Sequence, residues 1–536
     1  MSPPSRRGAV ACTLALALLV AAGCATLDLR TVPREPSSAL ADPTGTRLHA
    51  RFAARVAAER GRSGFVTLER GLDAFVARAA LADAADRTLD LQYYIVHGDT
   101  SSRLLLGRVF AAAERGVRVR LLIDDWTLAD ADEALAQLDA HPSVEVRVFN
   151  PLGTRHWLNP ARWAELIGDF ERINRRMHNK AWIADGVAAI VGGRNLGDEY
   201  FEARNDLDYH DLDLLAVGPV VGETSASFDR YWNSRYAVPV RQFRQVAANP
   251  AQREAVRRWF DEDAARSAGT PYARALADSP LVDRLRGDRL ALEWGEAKLV
   301  ADDPAKLDVR EGDPALRAPG DPRRALLLTG QLESLGIEAR REVLLVAPYF
   351  VPGEAGVAAF EALVRRGIRV RILTNSLASN DVIATQAGYA RHRDALLRAG
   401  VELHEFKPDG GGRGGRARAP SGVAGGSRAA LHEKSFVVDR EAAFVGSLNL
   451  DPRSIRTNTE VGVLVRSAAL AAEIAAIFDR NAAPERAWRV ERVDGAVVWT
   501  DLSGPTPVSH RAEPGASGWR RLLQSVYGLL APESML

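Results

Sequence analysis

"MHNKAWIADG" (Met177–Gly186) and "LHEKSFVVDR" (Leu431–Arg440) carry the same polar residues at the same spacing, His-x-Lys-x-x-x-x-Asp. The first holds His178, Lys180 and Asp185; the second holds His432, Lys434 and Asp439. Both lie in apolar runs, which predicts strands that place His and Lys on one face. Further matches trail each copy. "GGRN" ends at Asn195 and "GSLN" at Asn449, each the same distance after its His. An acidic element follows in both places, Asp211 and Asp213 in "DLDLL" and Glu460 in "NTEVGVL".

The surroundings repeat as well. "RTLDLQYYIVHGDTSSRLLLGRVFAAAERGVRVRLLIDD" starts at Arg87, and "REVLLVAPYFVPGEAGVAAFEALVRRGIRVRILTNS" starts at Arg341. Each reads as an apolar strand, a turn, an amphipathic helix and a second strand, with Gly116 and Gly367 at the helix ends. Strand–helix–strand order with apolar strands implies a parallel or mixed sheet covered on both faces. The expected fold is therefore α/β, two duplicated lobes at 61–240 and 335–490, each a mixed sheet flanked by helices, with the site at their interface. Residues 241–334 form a connecting, partly helical region, with helical patterning in "AQREAVRRWFDEDAARS". Residues 25–60 read as a linker and 491–536 as a tail. Asp409–Arg428, rich in Gly and Arg, reads as a loop.

One lobe supplies an imidazole, an ammonium, a carboxamide and a carboxylate. Lys is not a metal ligand, so the set does not describe a metal centre. No nucleophile elbow marks a serine hydrolase. An imidazole beside a fixed ammonium and an Asn donor suits a phosphoryl group, whose equatorial oxygens Lys and Asn stabilise. Two lobes face to face would set two histidines on either side of one phosphate, one attacking and one protonating the leaving oxygen. No metal or cofactor is expected.

Over 536 residues, 46% hydrophobic and 26% charged, the chain has ordinary globular composition. Its 70 basic and 69 acidic residues balance to +1, which argues against a protein that lives on nucleic acid. Residues 1–24 read as a secretory leader: Arg6 and Arg7, an apolar stretch, then "AAGC" ending at Cys24. Cys12 and Cys24 are the only cysteines, so the chain after the leader holds no disulfide. A Cys directly after small residues is the expected lipidation site of a membrane-anchored lipoprotein facing the periplasm; the inner and outer membranes both stay open.

Paired H-x-K-x-x-x-x-D motifs with a trailing G-[GS]-x-N resemble the phospholipase D superfamily. "QYYIVHGDTSSRLLLGRV", "RRMHNKAWIADGVAAIVGGRNLGDEYF" and "GWRRLLQSVYGLLAPESML" are similar to its bacterial cardiolipin synthase branch, most of all the lipoprotein-like C-type members. The resemblance implies a phosphatidyltransferase acting through a phosphatidyl-histidine, with His178 the nucleophile and His432 the acid and then base. It implies that Lys180, Lys434, Asn195 and Asn449 clamp phosphate, that Glu460 orients His432, and that Asp213, with Asp211 competing, plays the same part for His178. Asp185 and Asp439 belong to the catalytic motif, although a regular strand turns them to the opposite face, where they would hold structure. The implied substrates are phosphatidylglycerol, with phosphatidylethanolamine as the second candidate, at a membrane surface. The alternatives are a phospholipase D releasing phosphatidic acid, a nuclease, and a non-catalytic lipid-binding lipoprotein.

Within the tail, Trp519, Leu522, Leu523, Val526, Tyr527 and Leu530 form one helical stripe. That stripe suits either a lipid interface or the protein's own core.

Overall fold

The computed structural model describes residues 31–128, 131–153, 165, 168–204, 207–246, 249–286, 289–309, 321–408 and 428–531. The expected leader with Cys24, and positions 409–427 of the Gly/Arg-rich loop, lie outside the described residues.

The first lobe contains β1 (Ser63–Leu68), β2 (Thr88–Tyr93), β3 (Arg118–Asp124), β4 (Val144–Phe149), β5 (Ala181–Ala184), β6 (Ala188–Gly192), β7 (Leu207–His210), β8 (Asp213–Val217) and β9 (Ala237–Pro239). After β10 (Glu293–Ala301), the second lobe contains β11 (Glu342–Val346), β12 (Arg369–Asn375), β13 (Glu402–Phe406), β14 (Arg428–Leu431), β15 (Ser435–Val438), β16 (Ala442–Gly446), β17 (Val461–Arg466), β18 (Ala487–Val493), β19 (Ala496–Asp501) and β20 (Val508–His510).

Hydrogen-bonded neighbours in the first lobe run β1-β8-β6-β5-β2-β3-β4-β9. Those in the second run β10-β17-β16-β15-β11-β12-β13-β18, then β19 and β20. The order is the same, and so are the directions: β2-β3-β4 and β11-β12-β13 are parallel and the rest antiparallel. Each parallel pair needs a crossover, which the sequence supplies as helices. Thr100–Glu114 joins β2 to β3, its N-terminus capped by the Asp99 carboxylate, which accepts from Ser102 N–H at 3.2 Å. Gly353–Arg365 joins β11 to β12. Gly116 and Gly367 follow these helices with φ of 91° and 82°, the left-handed turn that glycine allows.

The lobes share their structure at three places. Edge strands β1 and β10 pair antiparallel, Ser63 opposite Gly295, and fuse the two sheets. Strands β7 and β14 pair in parallel, Leu431 opposite His210. A single apolar cluster draws Leu214, Phe228 and Trp232 from the first lobe and Val463, Ile474 and Phe478 from the second.

Three segments differ from those expected. The expected linker 25–60 carries helix Arg47–Ala58, whose Leu48 and Phe52 pack into the first lobe's core. The connecting region holds helix Pro250–Ala268, as its pattern implied, but also β10, which is a working edge of both sheets. "EWGEAKLVA" hides its strand character because charged residues interrupt its outer half. Residue 490 falls inside β18, so the second sheet continues through β19 and β20 into the expected tail.

Candidate active site

The two His-x-Lys segments were expected inside strands, and here the structure differs. His178 to Lys180 are extended but lie just before β5, and His432 to Lys434 lie just before β15. The reason is in their main-chain bonds. His178 N–H donates to Thr459 O at 2.8 Å, and His432 N–H to His210 O at 2.7 Å, so each segment leaves its own sheet to bond the opposite lobe. Both segments sit at the ends of the parallel strands, since Ala181 lies opposite Gln92 near the end of β2.

The side chains cross the interface too. His178 Nδ1 contacts Glu460 Oε2 at 2.8 Å, and His432 Nδ1 contacts Asp211 Oδ2 at 2.6 Å. A carboxylate acceptor places the proton on Nδ1 and leaves Nε2 for chemistry. The expectation that Glu460 orients His432 is therefore corrected: it holds His178. Asp213, expected beside His178, is also displaced. It opens β8 and pairs with the Arg78 guanidinium at 2.9 Å and that of Arg194 at 3.4 Å. Asp211 is the first lobe's orienting carboxylate instead, and it serves His432 rather than His178; register explains why. Gly192 lies opposite Asp213 and Gly446 opposite Gly462, so Asp211 corresponds to Glu460, each two residues earlier.

Both imidazoles are nearly enclosed, 7% and 4% exposed. Lys180 Nζ donates to His178 O at 2.6 Å; Lys434 Nζ donates to His432 O and lies 3.1 Å from His432 Nδ1. Burial pushes the His178 imidazole well below its ordinary pKa, and the positive charges of Lys180, Lys434 and His432 push it further. Burial and Lys434 also lower His432, but the Asp211 carboxylate pulls it back. The carboxylates diverge. Burial raises Glu460 to about 7 against the pull of Lys180, whereas at Asp211 burial is outweighed by His432 and Lys434, which leave it low. Burial lowers both lysines. Both imidazoles thus stay below their ordinary pKa, His178 the more strongly, while His432 is backed by a carboxylate that stays ionised.

Several site residues were not legible. Tyr94 stands edge-on to His178 at 5.0 Å, with Lys180 Nζ 5.4 Å from its ring centre. Tyr200, Tyr209 and Tyr349 surround His432 at 5.2, 5.0 and 6.4 Å. Tyr94 lies one residue past β2, and the sequence gives no sign of which ring of "QYYI" turns toward the site. Ser447, the Ser of "GSLN", donates to Glu460 Oε2. Asp302 accepts from Glu460 N–H at 2.8 Å and pairs with buried Lys306 at 2.9 Å, so the connecting region braces this carboxylate.

The remaining expected residues divide. Asn449 is buried, its Oδ1 without a hydrogen-bond partner among the described residues, a state that a ligand hydroxyl would relieve. Asn195 is engaged: its amide donates to Tyr200 Oη at 2.9 Å and accepts from Ile95 N–H at 3.2 Å. It touches the site through Tyr200. Asp185 and Asp439 do not join the imidazoles. Asp185 accepts from Asp86, Arg87 and Thr88 N–H at 2.8 to 3.0 Å, and Asp439 from Arg340, Arg341 and Glu342 at 2.7 to 2.8 Å. Each pins the start of a central strand, so the catalytic role expected of this pair gives way to a structural one.

Two lobes of one topology, contributing paired His-Lys segments and exchanged carboxylates to one interface, define a phospholipase-D-like protein. A family model described as "Cardiolipin synthase, PLD-like domain" matches residues 79–232 and 337–482, one span per lobe. The chain belongs to that family. It is 40% identical to Cardiolipin synthase C of Escherichia coli (strain K12) over 483 residues, 89% of this chain and 97% of that one. It is 26% identical to Cardiolipin synthase A of Pseudomonas entomophila (strain L48) over 403 residues, 75% of this chain and 64% of that one. The crystal structure of phosphatidylserine synthase of Haemophilus influenzae Rd KW20 matches with a TM-score of 0.52 and 11% identity, over 91% of this chain and all of that one, which shows the fold.

Proposed function

We propose that this chain is a phosphatidyltransferase that makes cardiolipin from phospholipids through a covalent phosphatidyl-histidine. The observation that carries the reading is the exchange of carboxylates: two enclosed imidazoles at one interface, each fixed through Nδ1 by the opposite lobe.

In the first step Nε2 of His178 attacks phosphorus of the donor lipid. The bond from phosphorus to the headgroup oxygen breaks, and His432 gives that oxygen its proton. In the second step a hydroxyl of a second lipid's headgroup passes its proton to His432 and attacks phosphorus, and the P–N bond breaks. With phosphatidylglycerol as donor and acceptor, the products are cardiolipin and glycerol. The electrostatic asymmetry supports this assignment: a nucleophile must be neutral, as burial makes His178, and an acid must hold a proton, which ionised Asp211 favours at His432. Lys180 and Lys434 bring positive charge to the phosphate oxygens, and Asn449 offers a further polar contact.

Enclosure supports transfer over hydrolysis, because imidazoles so little exposed leave scant access for water beside the phosphatidyl-enzyme. Incubation with labelled phosphatidylglycerol, with and without phosphatidylethanolamine, tests this. Labelled cardiolipin is expected; phosphatidic acid as the sole product would make the enzyme a hydrolase. With a donor whose headgroup leaves without a proton, such as a p-nitrophenyl phosphodiester, His432→Ala protein quenched in alkaline denaturant, where a P–N bond persists, should carry phosphatidyl on the peptide containing His178; recovery on the His432 peptide of His178→Ala would reverse the roles. A lipid anchor at Cys24, holding the enzyme on a membrane facing the periplasm, completes the reading. Cys24→Ser should release it into the soluble fraction, and fractionating the unaltered protein assigns it to the inner or outer membrane.

A further inference from the structure

Helix Gly518–Leu530 is built inside out. Its protein-facing side carries buried Gln524 and half-buried Arg520, Arg521 and Leu523. Trp519, Leu522, Val526, Leu529 and Leu530 face outward, 65, 53, 41, 83 and 72% exposed. A water-facing helix normally shows the reverse arrangement. Of the stripe expected from the sequence, Trp519, Leu522, Val526, Tyr527 and Leu530 are left uncovered by the protein's own core, whereas Leu523 is half-buried.

The helix is firmly attached in this orientation. Ser517 Oγ caps it, accepting from Arg520 N–H at 3.3 Å. Arg520 donates to Leu377 O at 3.0 Å and to Asn380 O. Arg391 closes the other end, donating to Gly528 O at 2.8 Å and Ala531 O at 2.7 Å, neutral acceptors that leave its charge in place. The helix itself has two arginines and no acidic residue.

Its place matters as much as its face. Asn380 leads into Asp381, whose carboxylate accepts from Tyr349 at 2.8 Å and Tyr209 at 3.0 Å, two of the rings around His432. Val382, 40% exposed, follows. The end of the helix bearing Trp519 is thus tied to the segment that borders the His432 side of the site. We infer that the outward face of Gly518–Leu530, with its basic border, docks on an anionic lipid bilayer and sets the His432 side of the site against it. The inference rests on the phosphatidyltransferase reading for its meaning, since that reaction draws its substrates from a bilayer. A Trp at one end, aliphatic residues along one face and arginines alongside are the chemistry of the bilayer interface.

The test uses the full chain carrying Cys24→Ser, so that no acyl group accounts for binding. This protein should sediment with phosphatidylglycerol vesicles, and adding Leu522→Ser and Leu529→Ser should weaken binding about tenfold or more. The melting temperature without vesicles should not change, because both side chains are exposed. Vesicles with brominated acyl chains should quench tryptophan fluorescence, and the conservative Trp519→Phe should remove that component. Undiminished vesicle binding by the serine variant, or quenching indifferent to Trp519→Phe, overturns the inference. So does a variant that turns a dimer into a monomer while binding vesicles as before, which would make the face a protein contact. Binding is read without turnover, so failure to form cardiolipin would remove the transferase reading alone.

Discussion

Two carboxylates that differ by one methylene do different work at His178 and His432. Asp211 stays ionised and raises the proton affinity of His432 against burial and Lys434. Asp211→Asn removes that pull, so the His432 pKa falls and its protonated fraction is lost at lower pH. The alkaline limb of the kcat profile should move down in pH, and kcat should fall by about 10²- to 10⁴-fold; an unmoved limb would detach Asp211 from the acid. Asp439 makes the opposite case. Burial raises its pKa, but three backbone N–H donors outweigh that and hold it below the ordinary range. A depressed folded pKa contributes stability above the unfolded value, near 4, that is lost as pH falls through the folded one. Asp439→Ala should therefore cost about 2–4 kcal/mol near neutral pH and less in acid. Turnover at low temperature should survive, as read by urea melts beside an activity assay. Asp213→Ala, which leaves Arg78 buried without its partner, should cost about 3–5 kcal/mol.

The two Gly-turn elements are alike in sequence and unlike in use. In "GSLN" the Ser447 hydroxyl donates to Glu460. In "GGRN" there is no room for one, because a Cβ on Gly193 would stand 2.2 Å from Asp211 Oδ1. Gly193→Ala should push this carboxylate off His432 and reproduce the pH shift of Asp211→Asn, while Ser447→Ala should leave the His432 limb in place. At this scale the sequence was most informative. Paired His-x-Lys segments, the trailing Asn residues and strand–helix–strand order were all readable, because local periodicity and turn chemistry specify them. Partnership across the interface was not. "DLDLL" offers two aspartates, and only the strand register shows that Asp211 corresponds to Glu460. A fixed offset from each His names a residue but not the lobe it faces. Strand β10 went unread for a related reason: Glu293, Glu296 and Lys298 lie in its little-buried outer half, which is held by pairing with β1 and β17, so no alternation shows.

Neither lobe is complete by itself. The first sheet ends on β10, contributed by the connecting region, and the apolar cluster between the lobes has walls from both. Residues 31–240 produced alone should expose that cluster, bind a hydrophobic dye and show no turnover, whereas a half that folds stably with activity would contradict the shared cleft. The proposed anchor at Cys24 and the proposed docking of the tail helix belong to this scale as well, since both bear on where the whole enzyme would sit. The exchanged carboxylates have one further consequence. If the lobes part even slightly, both imidazoles lose their partners in the same event. Attack and proton delivery then fail together, so no half-open form exists in which a nucleophile stays armed while solvent enters. The contacts that hold the lobes together thus also guard the phosphatidyl-histidine, since parting them would silence the chemistry as water came in.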